Sequence, residues 1–256
     1  MRLLFLFTLF FSVIAEADLD CEITLNYGVV VNKTQIRVIN ESRTLYQINN
    51  DSQLFVAGEW LELDESQQKE LQELSQGIHY VVPKMILLAN EGVELAIDTV
   101  EQVYIGLVGK DHKTYEKLQS SLNRVKMGVK EKFIHANDNF YMGPGSLESV
   151  DDLVDRELEE QMEEAMSTSL GGILSAIGGL VTSDENTEDK MEKLARQLET
   201  MGEEIERNTA PRAQSLKSKA EWFCNKFKEL DGVEERLRKS IVELNAINVL
   251  EVGGGN

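Results

Sequence analysis

Cysteine occurs only twice in this sequence of 256 residues, and histidine and proline three times each. Bases are outnumbered as well, 26 Lys and Arg against 45 Asp and Glu, for a net charge of −19. The deficit of bases argues against nucleic acid, whose binding needs basic surface to displace counterions. It also argues against adsorption to an anionic membrane surface. It suits a well-solvated protein, or one whose charge-driven partners are cationic. Long apolar runs are missing too: the runs at residues 3–14 and 170–181 hold twelve residues each, short of the about 20 that a membrane-spanning helix needs.

What is present begins with a leader. Met1 and Arg2 give a positive start, residues 3–14 are rich in Leu and Phe, and Ala15-Glu16-Ala17 supplies a small-x-small cleavage pattern. Residues 1–17 therefore read as a signal peptide cleaved after Ala17, with the mature chain starting at Asp18. Glu16, Asp18 and Asp20 stop the run from extending into an anchor, and Cys21 lacks the Leu and small residue that precede a lipidated cysteine. In an oxidising compartment two isolated cysteines are most simply one bridge, Cys21 to Cys224. That bridge requires the first strand and a late helix to touch, with Cα atoms within about 7 Å. The alternative, a redox pair, lacks a Cys-x-x-Cys spacing.

Hydrophobic periodicity divides the rest. Residues 18–63 alternate or carry β-branched runs, as in Ile36-Arg37-Val38-Ile39, punctuated by Asn32-Lys33, Asn40-Glu41-Ser42 and Asn49-Asn50-Asp51; they predict an antiparallel meander of four or five short strands. Asn32, Asn40 and Asn50 each open an Asn-x-Ser/Thr triplet, and are read here as turn residues. From Asp64 the period becomes helical. Asp64 and Gln67 resemble a capping box. Pro83 predicts a kink or a break near His79 and Tyr80. A helix over residues 113–133 has a basic face, a loop is expected from Asn137 to Gly145, and residues 147–166 hold nine acids and one base, which suggests a charge-complementary antiparallel pair. Its acids lack the spacing of a calcium loop. A long helix starts near Glu188 with Met191, Leu194, Leu198, Met201 and Ile205 at coiled-coil spacing. Pro211 predicts a kink or restart, Asp231-Gly232 a break before a short final helix carrying Leu237, Ile241 and Leu244, and residues 249–256 a loose tail. The expected fold class is α+β: a small N-terminal meander, then long amphipathic helices over 64–248 in an elongated bundle.

Catalytic spacing is absent from the sequence. There is no His-Glu-x-x-His and no Gly-x-Ser-x-Gly. Gly109-Lys110 lacks the Ser/Thr and the first glycine of a phosphate loop, for Asp111 and Tyr104 stand there. His79, His112 and His135 are too scattered to nominate a metal site. No catalytic residue, metal or cofactor is assigned. The apolar, glycine-rich stretch LGGILSAIGGLV at 170–181 offers Ile173, Leu174, Ile177 and Leu180 as candidates for membrane or partner contact; burial with close backbone approach is the simpler reading.

Several segments carry a resemblance: the leader closely followed by Cys21, LFVAGEWLELDESQQKEL at 54–71, EGVELAIDTV at 91–100, FYMGPGSLESVDD at 140–152, the glycine-rich 170–181, and MGEEIE at 201–206 on the helix that leads to Cys224. In these the chain resembles the YggN-like family of uncharacterised periplasmic proteins of Gram-negative bacteria. The resemblance implies a periplasmic location and carries no activity or functional residues; in that family the helix that Pro211 interrupts is expected to be continuous. The functional expectation is a non-enzymatic binding or structural protein with an envelope-protein partner. The alternatives are a hydrolase with a spatially assembled carboxylate/His site, and membrane-surface association through 170–181.

Overall fold

The computed structural model describes residues 21–110, 115–135, 139–144, 146, 160 and 187–254. Six strands come first: β1 (Cys21–Leu25), β2 (Gly28–Val31), β3 (Gln35–Asn40), β4 (Arg43–Asn49), β5 (Gln53–Val56) and β6 (Glu59–Leu61). Helix α1 (Glu65–Val108) and helix α2 (Tyr115–Phe133) follow, then β7 (Ile134–His135) and β8 (Asn139–Met142). Helix α3 (Thr187–Ser240), a short 3-10 turn (Val242–Leu244) and β9 (Leu250–Gly254) complete the described chain. The class is α+β, a sheet region followed by long helices.

Strands β2 to β6 form the expected meander, and β8 and β7 extend it on the β2 side into a seven-stranded antiparallel sheet. Alternation makes one face apolar. Val29 faces Val38, which faces Tyr46; Val31 faces Ile36, which faces Ile48, which faces Leu54. All seven are buried, so two cross-strand rows tile the covered face. Turn residues close the hairpins: Glu41, Asn50, Asp51 and Ala57 all take positive φ. Asn32 caps the β2–β3 turn by accepting the Thr34 and Gln35 N–H groups at 3.1 and 2.9 Å.

Helix α1 starts where the sequence signals it. The Asp64 carboxylate accepts the Ser66 and Gln67 N–H groups at 2.8 and 2.9 Å, and the Gln67 side chain accepts the Asp64 N–H at 3.1 Å. Its first half buries Leu71, Leu74, Val81, Val82 and Ile86, and α3 adds Phe227, Leu230, Val233 and Leu237 to the same core. The two helices run antiparallel. Glu70 meets Arg236, Gly77 meets Leu230, Glu91 meets Lys219, Asp98 meets Arg212, Gln102 meets Asn208 and Gly106 meets Met201. The span from Glu70 to Gly106 is about 54 Å of helix at 1.5 Å per residue. The ion pairs are exposed, so each adds at most about 1 kcal/mol; they fix register more than stability. The two glycines set the spacing, for a Cβ on Gly77 would overlap Leu230 and one on Gly106 would overlap Met201. Helix α2 packs on the far half of α1 through Tyr104, Tyr115, Leu118 and Leu122.

The structure corrects several expectations. Helix α1 runs through Pro83 without a break, and α3 runs through Pro211 without a restart and through Asp231-Gly232 without a break. At Pro83 and at Asp231-Gly232, buried neighbours on both sides (Val81, Val82 and Ile86; Leu230, Val233 and Leu237) outweigh the local helix-breaking tendency; Pro211 lies in an exposed stretch of α3. Ile241 and Leu244 therefore end the long helix and its 3-10 turn rather than form a helix of their own. Residues 139–142, expected in a loop, form β8. Residues 250–254, expected in a loose tail, form β9 and pair with β1 from Leu25↔Leu250 to Cys21↔Gly254. Along the stripe expected to form a coiled coil, Met201 abuts Gly106 while Leu198 is exposed. The basic α2 packs on α1, and Lys126 reaches Glu94 at 2.7 Å; the acidic partner expected for it, residues 147–166, falls outside the described residues apart from Glu160.

Candidate partner-binding groove

The helical pair leaves a groove on its outer side. Tyr80, Lys84, Leu87 and Glu91 line one wall on α1, and Ser215, Ser218, Lys219 and Trp222 line the other on α3. The first set steps by three or four residues and the second falls at i, i+3, i+4 and i+7, so each is a continuous stripe on its helix. Leu88 and Phe223, both buried, make the floor of a cleft of about 720 Å³. Tyr80, Leu87 and Trp222 are 47%, 55% and 42% exposed, far more than side chains of this size need be if packing alone placed them. The other exposed large apolar residues among those described, such as Trp60 and Val242, lie outside this lining; three together in one concavity mark a contact surface.

The walls are held by ring contacts. Trp222 packs edge-on against Tyr80 at 5.9 Å and against Phe223 at 5.0 Å between centroids. Lys84 Nζ lies 3.5 Å above the Tyr80 ring and makes no ion pair among the described residues. Lys219, by contrast, is bound to Glu91 at 2.6 Å. The groove thus offers one cation without an acid beside an apolar, aromatic surface. Directly behind Trp222 and Phe223, Cys224 stands within disulfide range of Cys21, with Cα atoms 6.1 Å apart. The sequence expectation required that proximity.

The residues most suggestive of catalysis resolve differently. His79 Nε2 faces the Asn32 carbonyl at 2.9 Å and Nδ1 faces Asp51 Oδ1 at 3.1 Å, so both ring nitrogens are engaged. Ser75 Oγ donates to the same Asp51 oxygen at 2.6 Å. The carboxylate stands between serine and histidine, whereas a nucleophilic serine needs the histidine between. The His79 arrangement does not activate Ser75. His112 lies outside the described residues, as do Ile173, Leu174, Ile177 and Leu180. No described helix is long and apolar enough to cross a membrane.

A buried carboxylate is the feature that sequence reading missed. Glu234 is 4% exposed. It accepts the Val249 and Leu250 N–H groups at 2.6 and 2.9 Å. Burial raises its pKa to about 7, against the two N–H bonds and Arg238, which lower it; nearby Asp231 adds a smaller upward push. Such a perturbation often marks an active site. Here the adjoining cavity is only about 10 Å³, room for a water at most. Glu234 is a lock that fastens β9 to α3. Asp231, itself raised mainly by burial, repeats the device on the Val252 N–H at 3.3 Å. The sequence does hold a signal: Leu230, Glu234, Leu237 and Ile241 share one helical stripe, with an acid where an apolar residue belongs.

The model of a family described as "Protein of unknown function (DUF2884)" matches residues 21–250, nearly the whole described chain and both cysteines. The chain belongs to that family. No curated protein and no solved structure matches it.

Proposed function

We propose that this chain, as a member of the DUF2884 family, is an exported, non-enzymatic binding protein of the cell envelope whose groove seats an amphipathic helix of a partner protein. The leader at residues 1–17 and the resemblance to the YggN-like periplasmic proteins support export to the periplasm. The observation that carries the binding reading is the pair of wall stripes. Tyr80, Lys84, Leu87 and Glu91 on one helix and Ser215, Ser218, Lys219 and Trp222 on the other leave the seat that a third helix takes in a bundle. The stripe from Tyr80 to Glu91 spans about 16 Å, three helical turns. A complementary helix places apolar residues at i, i+3 or i+4, and i+7 over Tyr80, Leu87 and Trp222. It carries an acidic residue opposite Lys84, which is the charge complement that this otherwise acidic chain lacks at the groove.

Only two tryptophans are present, so Trp60→Phe makes Trp222 the sole indole reporter. The probe is a designed three-turn helix with leucines at that spacing and one glutamate. Binding blue-shifts Trp222 emission with a Kd of about 10 μM, and Leu87→Glu abolishes the shift. No shift, or one that Leu87→Glu leaves intact, overturns the helix-seat reading. A concentration-dependent dimer that buries Trp222 without peptide overturns it in favour of self-association. The location is tested by mass: periplasmic protein that begins at Asp18 agrees with export, and retention of residues 1–17 on a cytoplasmic protein contradicts it.

A further inference from the structure

On the other side of Tyr80, where α1 crosses the sheet, lies a second cavity of about 620 Å³ that shares only Tyr80 with the groove lining. Its walls combine two chemistries. Phe140 on β8 and Tyr80 and Pro83 on α1 give it flat apolar surface, and Asn32, Asp51 and Gln76 give it planar polar groups, with Lys33 at the rim. The polar groups are built into the fold. Asn50 and Asp51 are consecutive residues with φ of 49° and 58° at the β4–β5 turn, a left-handed conformation that Asn and Asp tolerate better than other side chains. Asp51 is held there by Ser75 Oγ at 2.6 Å and His79 Nδ1 at 3.1 Å, both on Oδ1. Ser75 has no exposed surface, so its hydroxyl is committed to this task. Oδ2 of Asp51 is left over, and so are the amide of Gln76 and the ammonium of Lys33, none of which bonds a protein group among the described residues. Asn32 uses its side-chain oxygen on the turn and its carbonyl on His79, which leaves its amide N–H groups.

The leftover set is one acceptor carboxylate oxygen, two amides and one ammonium, beside aromatic faces. Acid and base are balanced, so a strongly charged ligand gains little. A neutral molecule with an apolar face and a rim of hydroxyls satisfies every part: its C–H face lies on an aromatic ring, and its hydroxyls donate to Asp51 and accept from Gln76, Asn32 and Lys33. We propose that this cavity is a binding site for a sugar ring. Three structural elements position it, the β2–β3 turn, the β4–β5 turn and α1, so the polar groups are fixed before a ligand arrives.

The test uses saturation-transfer NMR on the full mature chain, with maltose, cellobiose and N,N′-diacetylchitobiose as probes at about 10 mM, a concentration suited to millimolar Kd values. At least one disaccharide receives saturation, and Asp51→Asn weakens its binding by about tenfold, the loss of one charge-assisted hydrogen bond. Gln76→Ala weakens it as well. Gln76 is exposed and its truncation leaves the fold intact, so a loss of folding in Asp51→Asn does not blunt the test. Leu87→Glu, in the groove and outside the cavity lining, leaves sugar binding unchanged; this separates the site from the helix seat. Absence of transfer from all three sugars, or transfer that survives both Asp51→Asn and Gln76→Ala, overturns the proposal.

Discussion

Replacing Glu234 by Gln removes one proton-binding group from the interior and one of its two N–H acceptors; the second loss does not depend on pH, so the change of stability with pH reads the first. An acid with a pKa of about 7 when folded and 4.5 when unfolded binds its proton more tightly in the folded state. The linkage sign follows. Its contribution to stability is fully present below about pH 4.5, falls as the pH rises, and is gone above about pH 7. Between about pH 8 and pH 5 the wild-type protein should therefore gain about 2–3 kcal/mol relative to Glu234→Gln, which cannot titrate. Asp231 is raised in the same direction and is present in both proteins, so only its smaller coupling to Glu234 enters the difference. Urea unfolding followed by tryptophan emission measures this at the two pH values. With a slope near the upper end of the usual range, about 3 kcal/mol per M, the gap in midpoints changes by about 1 M. The reasoning rests on burial outweighing two short N–H bonds. If the gap stays constant across the range, the N–H bonds win, Glu234 is ionised in the fold, and the argument is wrong. If the gap changes in the opposite sense, the carboxylate is held below 4.5 and the lock is a charged one.

Two more outcomes bear on how the fold is held. Breaking the Cys21–Cys224 pair, by reduction or by replacing both with Ser, should lower stability by up to about 5 kcal/mol, because the bridge closes a loop with a sequence separation of 203 residues; an unchanged unfolding midpoint, or a non-reduced mass showing two free thiols, contradicts the bridge. Gly77→Ala should destabilise by about 1–3 kcal/mol through overlap with Leu230. Leu230→Ala in the same chain should recover part of that loss, and strict additivity of the two changes would mean that the helices do not meet there.

The meander and the approach of the two cysteines were legible because their signals are local or scarce. Ile36 and Val38 alternate with polar neighbours within one strand, Asp64 and Gln67 are three residues apart, and two cysteines leave a single pairing. The corrections share the opposite property. β9 contains Gly253 and Gly254, poor strand formers, and is a strand because β1 and the carboxylates of Glu234 and Asp231 supply its partners. Pro83 breaks a rule that holds for an isolated helix, and the packing of its buried neighbours Val81, Val82 and Ile86 overrides it. The groove was hidden for a related reason. Tyr80 and Trp222 read as ordinary members of amphipathic helices; only the register of α1 against α3 brings them within 5.9 Å. The cavity beside His79 draws on turns about twenty residues apart, Asn32 and Asp51, and on a helix after both. No window of sequence contains it.

The pairing of β1 with β9 also bears on timing. A polypeptide is made from its N-terminal side, so the earliest described strand must wait, unpaired, until nearly everything downstream exists. The meander of β2 to β6 can assemble on its own from neighbours in sequence, but β1 cannot, and Cys21 has no correct thiol to meet until Cys224 arrives. Closure of the molecule thus waits for its far end, and a chain cut short ahead of Leu250 would leave the first strand open and adhesive.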